Sequence, residues 1–277
     1  MTEDTAQHRS WTFYKALMEY YLTISAIMKN EGPYLKEWLE FHLMTGVEHF
    51  YLYDNNSDDE TIEILEDYIK RGIVSYQFWP DHPGQLMAYM HTLTNYRNDS
   101  FWIAFIDLDE FIIPVEKDSI PEILTEFEDY AALGVNWFIY GNSGHEKKPE
   151  GLQLENYIYH SIETVRSNFH IKSIVNPRKI KSPGDPHIFR CKTGESTVTE
   201  NKEIINSSLT KFNSTRKIRI NHFFTRSTEE SKIKMARGRA PSKQKRPWND
   251  FERLNKNDVL DDAAARFIPE LKRRISG

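Results

Sequence analysis

Residues 102–114 read WIAFIDLDEFIIP, an apolar run that ends in three acids, Asp107, Asp109 and Glu110, and resumes at Phe111. An unbroken apolar run suits a strand buried on both faces of a parallel sheet. Carboxylates at such a strand end are costly to bury alone, so they mark either a cation site or a polar turn leaving the core. In extended backbone, Asp107 and Asp109 point to one face and Glu110 to the other. Two carboxylates on one face suit a hard divalent ion, Mg²⁺ or Mn²⁺, that bridges to phosphate oxygens. The apolar runs on either side favour the cation. Glu110 is then expected to turn away from the aspartates and pair with a surface base.

Upstream, strand and helix signals alternate. Residues 21–28 (YLTISAIM) read as a buried strand, and Pro33 suits the first turn of the helix whose stripe is Leu35, Trp38, Leu39 and Leu43. A second strand, 49–53, precedes the polar run Asp54 to Asp59, where Ser57 or Asp58 can cap a helix carrying Ile62, Leu65 and Ile69. Gly72 ends that helix. A third strand over 73–78, a helix over 85–96 and the fourth strand over 101–108 complete the series. Such alternation predicts an α/β fold with a mostly parallel central sheet and helices on both faces. Ligands in such folds bind beyond the carboxyl ends of the strands. Asn30-Glu31, Asp54 to Asp59 and Asp107 to Glu110 all fall at those ends and should converge on one crevice.

The totals narrow the function. The 277 residues carry a net charge of −5, which gives no reason for whole-surface attraction to nucleic acid, and the basic segment lacks interleaved aromatics. An aromatic content of 13% argues for a packed core. One cysteine, Cys191, excludes an intrachain disulfide and a thiolate-rich zinc site. No window approaches eighteen consecutive apolar residues, and the N-terminus has no signal-peptide core, so a cytoplasmic protein is expected. No glycine-rich loop stands at any strand end, which disfavours nicotinamide enzymes and P-loop ATPases and leaves a metal ion as the diphosphate binder.

The ordered blocks IMKNEGPYLKEWLEFHLMTGVEHFYLYDNNSDDET, GIVSYQFWP, QLMAY and WIAFIDLDEFIIP resemble glycosyltransferase family 92 and the related family-2-like glycosyltransferases. YGNSGHEKKPEGL, KSIVNPRKI with PHIF, and NHFFTRSTEESKIKMARGRA extend the resemblance to residue 240. It implies a GT-A type αβα sandwich with C-terminal helices. It further implies inverting transfer of a sugar, typically galactose, from a UDP-sugar donor with Mn²⁺ to a glycan or glycolipid acceptor. By the same resemblance Asp107 and Asp109 are the metal-binding acids, and Asp54, Asn30 and Glu31 lie where the nucleoside docks. Gln85 matches a glutamine facing the donor. The implied boundaries are an N-terminal extension over 1–20, a glycosyltransferase domain over 21–245 divided at 115 into nucleotide and acceptor halves, and a helical segment over 246–277. A nucleotidyltransferase and a non-catalytic nucleotide- or carbohydrate-binding module are the alternatives.

Other residues are read from their own surroundings. His145 and Glu146, in a glycine-containing loop after the apolar strand 135–140, are candidate bases for the acceptor hydroxyl, or an ordinary polar turn. From its surroundings each of His222 and His187 is a hydrogen-bonded core histidine, while the resemblance implies a histidine after the acceptor region as a third metal ligand, with His222 the first choice and His187 the second. The basic stretch 211–246 reads as a solvated face, as a cationic wall for the departing UDP with Arg226 as the best candidate, or as a patch for a phosphorylated acceptor or an anionic lipid headgroup in peripheral membrane contact. Residues 259–275 are expected to form an amphipathic helix.

Overall fold

The computed structural model describes residues 18–237 and 246–276. The expected N-terminal extension lies mostly outside these residues, as do residues 238–245 of the basic stretch. The first part of the chain runs β1 (Tyr20–Met28), α1 (Gly32–Met44), β2 (His49–Asp54), α2 (Thr61–Lys70), β3 (Val74–Phe78), α3 (Gln85–Asn95) and β4 (Ser100–Phe105). There follow β5 (Glu110–Pro114), α4 (Ile120–Leu124), β6 (Ala132–Ile139), α5 (Gln153–Asn156) and β7 (Tyr159–His160). Strands β8 (Ile171–Val175), β9 (Ile180–Pro183), β10 (Phe189–Cys191), β11 (Thr197–Val198), β12 (Ile204–Ile205) and β13 (Ile218–His222) come next. The chain closes with α6 (Thr228–Arg237), α7 (Trp248–Leu254), β14 (Val259–Leu260) and α8 (Ile268–Ser276).

Among the described residues one sheet has the order β12-β11-β6-β8-β4-β1-β2-β3, with β13 joining β6 to β5. Strands β3, β2, β1 and β4 are mutually parallel, as the βα alternation predicts. Beyond them β8 runs antiparallel to both β4 and β6, so only the first half is uniformly parallel. The continuous apolar runs have the expected cause, burial on both faces. Leu22, Ile24 and Ala26 of β1 and Trp102 and Ala104 of β4 pack in one core with Leu35, Trp38 and Leu39 of α1. The alternate residues Ile103 and Phe105 meet Tyr89 and Leu93 of α3 on the other face. No helix among the described residues is long and apolar enough to cross a membrane.

Several local readings differ. The fourth strand ends at Phe105, because residues 106–109 turn rather than extend, with the Glu110 N–H donating to the Asp107 carbonyl at 3.1 Å. Ser57 and Asp58 do not cap α2. Ser57 Oγ accepts the Asn30 N–H at 3.0 Å, and Asp59 instead accepts the Thr61 N–H at 3.1 Å. The C-terminal segment is not one long helix: Val259 and Leu260 pair as β14 with β7, and α8 begins only at Ile268. Gly141, in the loop after β6, serves packing. A Cβ there would lie 2.4 Å from the Lys256 carbonyl.

Two devices fix the strands that flank the acids. Trp38 is fully buried and its indole N–H donates to the Glu110 carbonyl at 2.8 Å. His42 Nδ1–H donates to the Trp38 carbonyl at 2.8 Å, leaving Nε2 to accept the Ile112 N–H at 3.2 Å. Burial pulls the His42 pKa down to about 3, so the ring stays neutral and keeps that acceptor. At the other strand, buried Glu200 accepts from Ser214 Oγ (2.6 Å) and from the N–H groups of Arg216 (2.9 Å), Lys217 (2.8 Å) and Ile218 (3.2 Å), which sets the entry into β13.

Hydrogen bonds to a charged acceptor are each worth about 1.5–3 kcal/mol, and several act together here. Glu200→Ala is therefore expected to destabilise the protein by about 2–4 kcal/mol in chemical denaturation, with Glu200→Gln losing roughly half as much. An unchanged unfolding midpoint in Glu200→Ala would refute this account of how β13 is held.

Candidate active site

A cavity of about 550 Å³ opens at the carboxyl ends of β1 and β4. Ile27 and Met28 from the end of β1, Glu31 from the following turn, and Asn55 and Asn56 from the turn after β2 form part of its wall. Asp107, Asp109 and Glu110 form another part, and His222 arrives from β13. The three polar strand ends do converge, as the alternation predicted.

Asp107 and Asp109 share the cavity because the strand stops, not because it continues. The turn over 106–109 carries both into the wall and restarts the alternation at Glu110. Glu110 consequently faces inward, contrary to the expected surface pairing. It is fully buried, and its Oε2 accepts the Asp107 N–H at 2.9 Å. The base it meets is Lys172 of β8, itself 1% exposed, whose Nζ lies 2.8 Å from Asp107 Oδ2 and 3.4 Å from Glu110 Oε2. Gln85 Nε2 donates to the other Asp107 oxygen at 2.8 Å. Asp109 pairs with Lys234 of α6, and its Oδ2 lies 3.6 Å from His222 Nε2.

Charge follows from this packing. Burial alone would raise Asp107, but the Lys172 ammonium outweighs it and holds the carboxyl below its ordinary value. Burial is likewise overcome at Asp109, where Lys234 and His222 hold the carboxyl well below the usual range. Glu110 goes the other way: burial pushes it up to about 7 despite Lys172. For Lys172 burial favours the neutral amine, yet the two adjacent carboxylates keep its pKa well above the ordinary lysine value.

A group of aromatic rings builds the opposite wall. Trp137 of β6 stacks on His170 at 5.3 Å and meets His222 edge-on at 4.7 Å. His187 adjoins them 5.5 Å from Trp137. Nδ1 of His187 donates to the Ile171 carbonyl at 3.0 Å and Nδ1 of His170 to the Ser167 carbonyl at 3.1 Å. Burial brings His187 down to about 4 and lowers His170, so both rings are neutral with Nε2 left as an acceptor.

Other expected site residues sit elsewhere. Asp54 is 2% exposed and accepts the Ser57 N–H and the Tyr76 hydroxyl, both at 3.0 Å, without reaching the cavity wall. Asn30 ties the first two turns together, its Oδ1 accepting the Asp58 N–H at 2.9 Å. Arg226 is a clamp rather than a cavity cation. It pairs with Glu31 at 3.0 Å, donates to Gln153 at 2.6 Å and lies over the Tyr34 ring at 4.2 Å. His145 and Glu146 lie outside the cavity wall. His145 Nε2 is 3.2 Å from the Asn156 carbonyl, and Glu146 is exposed. Their backbone carbonyls accept the N–H groups of Thr228 and Glu229 at the start of α6.

The basic stretch is not a uniformly solvated face, since Lys217, Arg219, Arg226 and Lys234 pair with Glu126, Asp261, Glu31 and Asp109. Lys172 was missed, although a lone lysine in the apolar strand IKSIV is itself a signal that a buried carboxylate waits for it. Trp137 and His170 carried no comparable mark.

The donor set suits a hard divalent cation only in part. Among the described residues no three His, Cys, Asp or Glu side chains are gathered around one point. Asp109 and His222 offer an oxygen and a nitrogen, and such ions commonly take one or two carboxylates and fill the shell with substrate phosphate and water. The residues fit that kind of site, not a closed protein cage.

Removing the ammonium from this cluster should leave Asp107 and Glu110 without their counter-charge. Lys172→Met is expected to cost about 3–5 kcal/mol of stability, and the double variant Lys172→Met/Glu110→Gln appreciably less than the single one. Additive losses in that cycle would contradict the coupling.

Residues 20–257 match the family model for glycosyltransferase family 92. A family 92 protein of Ricinus communis is 29% identical over 191 residues, covering 66% of this chain and 34% of the relative. The galactan β-1,4-galactosyltransferase GALS2 of Arabidopsis thaliana is 25% identical over 200 residues, covering 66% of this chain and 38% of that protein. The chain thus spans about a third of the length of these relatives. Among solved structures, S. aureus TarS (residues 1–349) with UDP-GlcNAc aligns over 68% of this chain and 60% of that chain, with 14% identity and a TM-score of 0.40. With the matched model running from the first strand to residue 257, the chain belongs to glycosyltransferase family 92.

Proposed function

We propose that the protein transfers a hexose, galactose, from a UDP-sugar to a hydroxyl of a glycan or glycolipid, with inversion at the anomeric carbon and with Mn²⁺ or Mg²⁺ beside the donor diphosphate. The observation that carries this reading is the approach of Asp109 and His222 to 3.6 Å in the wall of a cavity at the carboxyl ends of parallel strands. The choice of galactose rests on the likeness to galactan galactosyltransferases.

Asp109 and His222 would hold the cation, with Asp107 steadied beside it by Lys172 and Gln85. When bound, the cation supplies Lewis-acid charge that stabilises UDP as it departs. Lys234 and Arg246, which also line the cavity, add fixed positive charge where the diphosphate gains negative charge. Glu31, Asn55 and Gln85 form the nucleoside side. Across from them the aromatic wall offers an apolar surface for sugar C–H groups. The neutral rings of His170 and His187 provide acceptors for sugar hydroxyls. Ile27, Trp137 and Phe224 reduce water access to the reacting carbon. The acceptor oxygen forms the new bond to that carbon on the face opposite the breaking bond, and its proton leaves to a base.

UDP release from UDP-galactose in the presence of a β-galactan oligosaccharide is the expected activity. It should vanish with EDTA, return with Mn²⁺, and fall by about 10²-fold or more in Asp109→Asn. Turnover that is indifferent to both chelator and Asp109→Asn would remove the cation from the mechanism.

A further inference from the structure

Glu110 and His222 stand directly opposite each other in the antiparallel pairing of β5 with β13, so their side chains share a face. Glu110 Oε1 and His222 Nδ1 are both buried, and neither has a hydrogen-bond partner among the described residues. They lie 3.6 Å apart. Only Glu110 is engaged at its far end. Glu110 Oε2 accepts the Asp107 N–H and sits 3.4 Å from Lys172, while His222 Nε2 faces Asp109 at 3.6 Å.

A buried polar atom left without a partner is destabilising, and here two such atoms face each other. A carboxylate offers only lone pairs, whereas a neutral imidazole carries one N–H and one lone pair. Both atoms are satisfied together when the ring proton is on Nδ1 and points at Oε1. At 3.6 Å the contact is too long for a hydrogen bond, and closing it by about half an ångström would make one. A histidine that ligates a metal commonly donates its second ring N–H to a carboxylate, which sets the tautomer and aims the ring.

We propose that Glu110 is a positioning residue that accepts the His222 Nδ1–H and thereby turns the Nε2 lone pair toward the cation held with Asp109. This rests on the cation reading of the site for its purpose, though not for its geometry. Glu110 need not touch substrate or cation. It acts through His222, while Lys172 and the Asp107 N–H anchor its other oxygen.

The test uses the full chain with ¹⁵N-labelled histidine, free of metal and at alkaline pH so that the ring is neutral. The His222 resonances are assigned by their loss in His222→Gln. The wild type should show the Nδ1–H tautomer. In Glu110→Gln the amide oxygen should stay with Lys172 and the Asp107 N–H, presenting the NH₂ group to Nδ1. The ring proton should then move to Nε2, and Mn²⁺ affinity measured with UDP should fall about 10–100-fold. An Nε2–H tautomer in the wild type would overturn the proposal, as would a Gln variant with unchanged tautomer and unchanged Mn²⁺ affinity. If Glu110→Gln does not fold, the wild-type spectrum decides alone. Failure of the wild type to bind Mn²⁺ with UDP would overturn the cation reading, while the tautomer would still judge the role of Glu110.

Discussion

One ammonium group, that of Lys172, makes the acidic end of the central strand possible. Three carboxyl groups within four residues could not be brought into a largely buried wall without compensation, because each isolated charge would cost several kcal/mol of lost hydration. Lys172 enters from β8, the strand that reverses direction beside β4, and lies against Asp107 and Glu110 together. Lys234 does the same for Asp109 from α6. In this cluster three carboxyl groups stand against two ammonium groups.

The backbone around this cluster is held unusually firmly for a site built on a turn. Trp38 and His42 of α1 hold Glu110 and Ile112 at the start of β5, and Glu200 organises the approach to β13. Arg226 links the turn after β1 to the segment that leads into α6, so the Glu31 side and the Lys234 side of the cavity share one guanidinium. The aromatic wall has less such anchoring. Its order comes from ring stacking about Trp137.

Much of the frame was legible because both faces of the sheet are covered. Two-sided burial writes strands as continuous apolar runs, and the interruptions after them are the loops that carry function. Asp107, Asp109, Glu31 and Gln85 stood out for that reason, and the structure brings them into one cavity wall. Glu110 was misread because alternation was carried through a turn that resets it. Arg226 had the right charge in the right segment but is engaged by Glu31 and Gln153, a distinction made by contacts far apart in the chain. His145 and Glu146 looked like a poised pair, yet the loop that bears them docks on α6 and on residues 255–257. Lys172, the residue on which the cluster most depends, was visible only as an oddity in an apolar strand.

The final thirty residues have a significance of their own. Asp261 neutralises the buried Arg219 guanidinium on β13, Val259 and Leu260 complete a ribbon with β7, and Lys256 lies so close to Gly141 that no side chain could fit between them. The tail is therefore an internal brace and not an appendage. Cutting it away would strand the Arg219 guanidinium inside β13, three residues before His222, and take the paired strand from β7.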